Sequence, residues 1–216
     1  MNTELLIWDW NGTLLDDVAL CNNCLNQLLK ETGNPAHYDR NAYREIFGFP
    51  IIDYYRKAGF DFERYPYEQL AAQFNQIYPA HAGECTLCPG VEQALRFAKD
   101  AGLHQIILSA SEISALRQQV EHYQLTDYFD ELIGQNDFYA HGKLEAARQW
   151  LARQKPDPAK AVLIGDSLHD AEVAQELGVR CILCAAGHQS RERLAFAGVP
   201  VIDTLEELPA LLQNQL

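Results

Sequence analysis

Asp9 closes the apolar run Leu5-Leu6-Ile7-Trp8 and opens the turn Asp9-Trp10-Asn11-Gly12-Thr13. A short apolar run that stops at a carboxylate and a glycine reads as a buried strand delivering Asp9 to its carboxyl end. Ligands of open α/β sheets bind at such ends. Gly12 permits a sharp turn and a close backbone approach, and Thr13 offers a hydroxyl to a carboxylate or a phosphate oxygen. Other apolar runs deliver polar residues in the same way. Ser109 follows 104–108, Lys143 opens a helix after a strand near 131–133, and Asp166 follows 161–164 with Asp170 four residues on. In a parallel sheet these ends share one edge, so carboxylates, a lysine and a hydroxyl would crowd together. That set suits phosphoryl transfer. Asp9, Asp166 and Asp170 are hard oxygen ligands of the kind that hold Mg²⁺, and a dication would let Asp9 attack a phosphate dianion without repulsion. Lys143 supplies a point charge, and Ser109 a hydrogen bond to a phosphoryl oxygen. Singly, each has an ordinary role: a turn serine, a solvated helix start, an N-cap, an acidic residue in a first turn. Their joint placement is what points to a site.

The elements that position these residues follow from periodicity. Asp16 and Asp17 read as N-caps of a helix through about residue 30, with Leu20, Cys24, Leu25 and Leu28 at helical spacing. Gly33-Asn34-Pro35 ends it. Residues 36–82 read as short helices, about 39–47, 51–58 and 67–80, with no strand pattern. From Pro89-Gly90 onward helices and strands alternate: helices to Ala101, over 113–123, 143–153 and 168–177, and strands over 104–108, 131–133, 161–164 and 180–184. A short helix, a Val201-Ile202 strand and a C-terminal helix complete the chain. This alternation predicts an α/β fold, a Rossmann-like doubly wound parallel sheet with right-handed crossovers. The core would comprise residues 1–15 and 86–216, and an all-helical cap domain residues 16–85. No Gly-x-Gly-x-x-Gly and no Walker A lysine loop occurs near the N-terminus, which disfavours dinucleotide and P-loop folds.

The chain has 216 residues, 48% hydrophobic, and a formal charge of -13. So acidic a chain argues against nucleic acid and anionic membranes as partners, yet allows a small anionic substrate where a metal and local cations reverse the field. The first strand begins after four residues, which leaves no room for a signal peptide, and no apolar run has transmembrane length. A cytoplasmic location follows as the expectation, with the six cysteines as thiols. They form three Cys-x-x-Cys pairs. Cys181 and Cys184 lie in an apolar strand and read as core, whereas Cys21/Cys24 and Cys85/Cys88 flank the insertion and leave a metal or a disulfide open. Oligomeric state is not legible.

The order of these motifs resembles the haloacid dehalogenase superfamily across the whole chain: an Asp-x-Asp-x-Thr-like first motif, a helical cap after strand one, Ser or Thr after strand two, a lysine, then Gly-Asp-x-x-x-Asp at residues 165–170. The spacing is most similar to the phosphoglycolate phosphatase-like branch with a small helical cap. The resemblance implies a Mg²⁺-dependent phosphatase of a small phosphorylated metabolite. Asp9 would be the nucleophile that becomes a phosphoaspartate. Asp9, the carbonyl of Asn11, Asp166 and Asp170 would make up the metal site. Thr13, Ser109 and Lys143 would hold the phosphoryl group. Phe47-Gly48-Phe49-Pro50-Ile51 would be the cap specificity loop, and Pro89-Gly90-Val91 the return hinge. Lys155-Pro156 resembles the lysine motif too, but at 11 residues before Asp166 it leaves no room for the intervening helix; Lys143 fits.

Asn11 departs from the pattern, since the family's second Asp is a general acid and base. Asn11 keeps its carbonyl but shuttles no proton, a role worth about 10²–10⁴ in rate. Another acid could serve, with His188, His169 or Asp17 as candidates. The chain could act on compounds with good leaving groups. It could also be a catalytically weakened phosphate-ester binding protein, a metal-independent dehalogenase, or a phosphotransferase. Asn11-Gly12 is also a dipeptide prone to deamidation, which would restore Asp. Arg44, Arg56 and Lys57 could contact a substrate anion from the cap, although solvated helix faces explain each of them as well.

Overall fold

The computed structural model describes residues 3–135 and 142–213. In chain order the elements are β1 (Leu5–Trp8), β2 (Leu15–Asp16), α1 (Val18–Glu31), α2 (Arg40–Ile46), α3 (Ile51–Ala58), α4 (Tyr67–His81), β3 (Thr86–Leu87), α5 (Val91–Asp100), β4 (His104–Glu112), α6 (Ile113–His122), β5 (Glu131–Gln135), α7 (Gly142–Gln154), β6 (Ala161–Gly165), α8 (Leu168–Leu177), β7 (Arg180–Cys184), α9 (Arg191–Leu194), β8 (Val201–Ile202) and α10 (Leu208–Gln213). Six strands form one parallel sheet in the order β5-β4-β1-β6-β7-β8. This is the doubly wound α/β order, and the crevice where the winding reverses opens beside β1. The expected Rossmann-like sheet is therefore present.

Both faces of the sheet are covered, so β1 is apolar throughout. Leu6 and Trp8 pack into the layer with Val91 and Leu95 of α5, Leu116 of α6 and Leu208 of α10. Leu5 and Ile7 pack on the other face with Trp150 of α7 and Val173 of α8. Alternation along a strand places Cys181 and Cys184 on these two opposite faces, as their spacing implied. A polar intrusion into this layer is satisfied internally: the Trp8 indole donates to Gln105, which donates on to the Leu95 carbonyl.

Helices α1 to α4 share a core of their own around Leu25, Leu28, Tyr43, Tyr54 and Leu70. Two short strands not expected from the sequence carry the chain in and out of this helical segment. β2 and β3 pair antiparallel, Leu15 with Leu87 and Asp16 with Thr86. Two residues apiece are too short to show a periodicity.

Strand β4 also runs beyond the expected 104–108. Between Leu108 and Glu112 it advances four residues while β5 advances two. This bulge holds Ser109 and Ser111, and bulges re-aim side chains next to sites. Gly134 makes room for it, because a Cβ there would meet the Ser111 carbonyl oxygen at 2.8 Å. The polar loop expected after β5 falls at 136–141, outside the described residues. No helix of the described residues is long and apolar enough to cross a membrane. All six cysteines are free thiols.

Candidate active site

The carboxyl end of β1 stands between those of β4 and β6. The Asp9 amide donates to the Ile164 carbonyl at 2.9 Å, extending the ladder by one residue, so the Asp9 side chain projects over the sheet edge. β6 ends at Gly165, and Ser167 caps α8 in a capping box with Asp170. Such a box satisfies otherwise orphaned amides of a first turn, and here it fixes the Asp170 carboxylate against the Asp166 and Ser167 amides at 3.2 and 3.1 Å. The glycine at 165 is required, since a Cβ would lie 2.3 Å from the Asp170 carboxyl carbon. The other Asp170 oxygen faces Lys143 of α7 at 2.5 Å, and Lys143 also pairs with Asp9 at 2.7 Å. The structure thus joins Lys143 to both carboxylates, while Lys155 ends the α7 turn with a positive φ of 49°.

Single ligand oxygens of Asp9, Asp166 and Asp170 lie within 4.8 Å of one another. Burial drives the Asp9 carboxyl up to about 8; Lys143 opposes this, while Asp170 and Asp166 add to it. Burial likewise raises Asp166 to about 6, against the pull of His188. Asp170 is different: burial would raise it, but the Lys143 charge and hydrogen bonds hold it below the usual range. Two buried carboxylates and a partly buried one against one ammonium among the described residues leave the edge short of positive charge. A hard dication would supply that charge, and oxygen donors are what Mg²⁺ takes. The donor set therefore fits the expected metal.

The remaining expected residues fall as follows. Thr13 is fully buried and its hydroxyl lies 3.4 Å from Asp166 Oδ1, so it faces a carboxylate. Ser109 is buried in the β4 bulge and accepts from the Ser111 amide at 3.0 Å. Phe47 and Gly48 sit against the segment after β7: the Phe47 ring stacks on His188 at 4.5 Å, its carbonyl accepts from Gln189 and Arg193, and Gly48 adjoins the same two side chains. Arg44 also binds that segment, donating to the Ala185 and Gln189 carbonyls, which accounts for it without a substrate. Arg56 pairs with Asp53 at the surface, and His169 stacks on Phe49 at 4.6 Å.

Asn11 is held on all sides. Its Nδ2 donates to Asp17 Oδ2 at 2.8 Å and to the Tyr78 hydroxyl at 2.9 Å, and its Oδ1 accepts from the Ser111 hydroxyl at 2.8 Å. Asp17 sits at the N-cap position of α1 but makes no cap bond. It turns back instead, accepting from the Gly12 amide at 3.0 Å, the Tyr78 hydroxyl at 2.8 Å and His188 Nε2 at 3.0 Å. His188 Nδ1 meets the Tyr43 hydroxyl at 2.8 Å, and the His188 amide donates to Asp166 Oδ2 at 2.6 Å. Gly12 and Gly187 let these strands of chain touch, because a Cβ on either would fall 2.3 Å from Asp166 Oδ2. The Gly12 amide, which deamidation would turn onto the Asn11 side chain, is bound by Leu15 and Asp17, so the folded state opposes that reaction.

Tyr78, Tyr43 and Ser111 had no sequence signal, as the two tyrosines come from helices whose facing depends on how the helical segment packs. Gly187 before His188, just past a strand, was the one hint for that loop. The Asp17–His188 pair sets a pH window. Burial opposes both charges, but the His188 charge and hydrogen bonds hold Asp17 low, and Asp17 raises His188 to about 9. Stability from Asp17 is present above its ordinary 3.8 and lost on acidification. Stability from His188 is present below its ordinary 6.5 and lost as pH rises through about 9. Thermal melting against pH is expected to show the alkaline decline in the parent chain and a flatter one in His188→Gln.

Comparison with known proteins agrees with this geometry. A family model described as haloacid dehalogenase-like hydrolase matches residues 6–184. "Probable phosphatase IndB" of Dickeya dadantii is 28% identical over 94% of this chain and 91% of its own. A "Phosphoglycolate phosphatase" of Rhodobacter capsulatus is 26% identical over 97% and 96%. A crystal structure of a Clostridium acetobutylicum protein, described as a predicted phosphatase, superposes with a TM-score of 0.85 at 22% identity, covering 99% of this chain and all of that one.

Proposed function

Since the chain belongs to the haloacid dehalogenase-like hydrolase family, we propose that it is a Mg²⁺-dependent phosphatase that cleaves a small phosphorylated metabolite through a phosphoaspartate at Asp9. It is an enzyme, a phosphoric monoester hydrolase of that family. One observation carries the reading of its nucleophile. Asp170 spends both oxygens on Lys143 and the α8 amides, and Asp166 both on Thr13 and His188. Asp9 keeps Oδ2 without a hydrogen-bond partner among the described residues, while Lys143 holds Oδ1. A carboxylate oriented by one oxygen and open at the other is positioned to attack.

In this mechanism Lys143 holds Asp9 and meets the charge of the phosphoryl oxygens, and Ser109 and Thr13 line the phosphoryl position. Asp9, the Asn11 carbonyl and Asp166 would hold Mg²⁺, with Asp170 in support; the ion would supply charge neutralisation to the phosphoryl group. Residues 16–85 act as a cap over a core of 1–15 and 86–216, and Phe47 and Gly48 face the substrate's remote end. Closure of such a cap excludes water. Contacts between α2 and residues 185–193 support this closed arrangement. Six free thiols suit a reducing compartment, and we place the enzyme in the cytoplasm. The test is phosphate release from an aryl phosphate. Release that requires Mg²⁺ and stops with chelator supports the reading, and release indifferent to metal overturns the metal site.

One observation favours a second reading. Every hydrogen-bonding group of the Asn11 side chain is engaged within the protein, as expected for a weakened, phosphate-binding relative. Metal-dependent ligand binding with no turnover of any phosphate would select it.

A further inference from the structure

We infer that this site cleaves activated phosphates, acyl phosphates or phosphoric anhydrides, whose leaving group departs as a stable anion without receiving a proton. The inference rests on the phosphatase reading and narrows its substrate class.

Among the described residues, the polar hydrogens of Asn11 and of the side chains bound to it are engaged within the protein. Both Asn11 amide hydrogens are committed, one to Asp17 and one to the Tyr78 oxygen. The Tyr78 hydroxyl hydrogen goes to Asp17 Oδ2 and the Ser111 hydroxyl hydrogen to Asn11 Oδ1. His188 spends Nε2 on Asp17 and Nδ1 on Tyr43. Asp17 takes two of these bonds on each oxygen, with the Cys21 thiol a further donor at 3.5 Å, which fills the four lone-pair sites of a carboxylate. Lys143, on the other side of Asp9, is bound between two carboxylates. A leaving oxygen on the Asn11 side would thus meet donors already engaged, and drawing the Ser111 hydroxyl away would leave Asn11 Oδ1 without its partner among the described residues.

The chemistry follows from leaving-group basicity. Asp9 Oδ2 bonds to phosphorus, the bond from phosphorus to the leaving oxygen breaks, and its electron pair departs on that oxygen. A carboxylate, of conjugate-acid pKa about 4, leaves readily as the anion, and so does a phosphate, at about 6. An alkoxide is about as basic as hydroxide, far above either, and needs the proton that this site withholds. Water then attacks phosphorus, the phosphoaspartate bond breaks, Asp9 regains its electron pair, and the surplus proton passes to solvent.

The experiment compares kcat/KM for acetyl phosphate, pyrophosphate and glycerol phosphate in the parent chain and in Asn11→Asp, with Mg²⁺ present. The preference for activated over alkyl phosphate is expected to fall by about 10²–10⁴ in Asn11→Asp, the worth of a general acid; the acetyl phosphate and pyrophosphate arms separate acyl phosphates from anhydrides. An unchanged preference overturns the inference. Should Asn11→Asp fail to fold, a series of aryl phosphates in the parent chain decides: a steep fall in rate with leaving-group basicity supports the inference, and a shallow one, with glycerol phosphate turned over comparably, overturns it. Phosphate release from none of these compounds in either chain would remove the phosphatase reading itself, and the inference with it.

Discussion

Asp9→Asn is expected to abolish phosphate release, by about 10⁴-fold or more, in a chain that still folds. An amide oxygen is a poor nucleophile toward phosphorus, and the neighbouring carboxylates Asp166 and Asp170 already have both oxygens occupied. The same substitution should change the pH dependence of stability. Burial raises the Asp9 carboxyl from 3.8 to about 8, so the folded state binds that proton more tightly than the unfolded chain does. The resulting stability is full below the ordinary value and is lost as pH rises through about 8. Metal-free thermal melting of Asp9→Asn is therefore expected to decline less across that interval than melting of the parent. An active Asp9→Asn chain would refute the assignment of the nucleophile.

Lys143→Met is the second large effect, and it acts on stability as well as on rate. Among the described residues Lys143 is the one cation between Asp9 and Asp170, and its side chain is 3% exposed. Its own pKa is raised, because the two carboxylates outweigh burial. Removing one partner of a buried pair costs about 3–5 kcal/mol, since the remaining charge is left buried and uncompensated. For a chain of this size that corresponds to a fall in Tm of roughly 10 °C. The double variant Lys143→Met/Asp9→Asn should recover part of the loss, because one of the stranded charges goes with it; such non-additivity is the signature of direct coupling. Denaturant unfolding of the two single variants and the double variant measures this. Strict additivity would mean that Lys143 and Asp9 do not interact as described.

The sheet was legible because the central strands are apolar runs ended by a polar residue or a glycine, and helices α5 and α8 stop at Gly102 and Gly178; α6 and α7 stop instead at Gln124 and Lys155, each with a positive φ. The same logic brought Asp9, Asp166, Asp170 and Lys143 to one edge, where the structure joins them directly. Legibility ended where a contact depends on packing between segments far apart in the chain. Ser109 reads as a residue at a strand end, yet β4 continues past it through a bulge that only the pairing with β5 defines. Asp17 reads as an N-cap, yet its carboxylate turns away from α1 to gather Gly12, Asn11, Tyr78 and His188. Thr13 reads as a ligand for an oxygen and finds Asp166. Arg44 reads as a solvated helix face or a substrate contact, and binds main-chain carbonyls of the loop after β7. In each case the residue type was informative about chemistry and silent about the partner.

The most direct measurement of the central claim is a rapid acid quench of the Mg²⁺-loaded enzyme during turnover of acetyl phosphate, followed by peptide mass analysis. A phosphoryl group on the peptide that carries Asp9, absent from Asp9→Asn and lost on standing with water, is the predicted result. Phosphate release with no phosphorylated peptide, or with the phosphoryl group on any other residue, would contradict it.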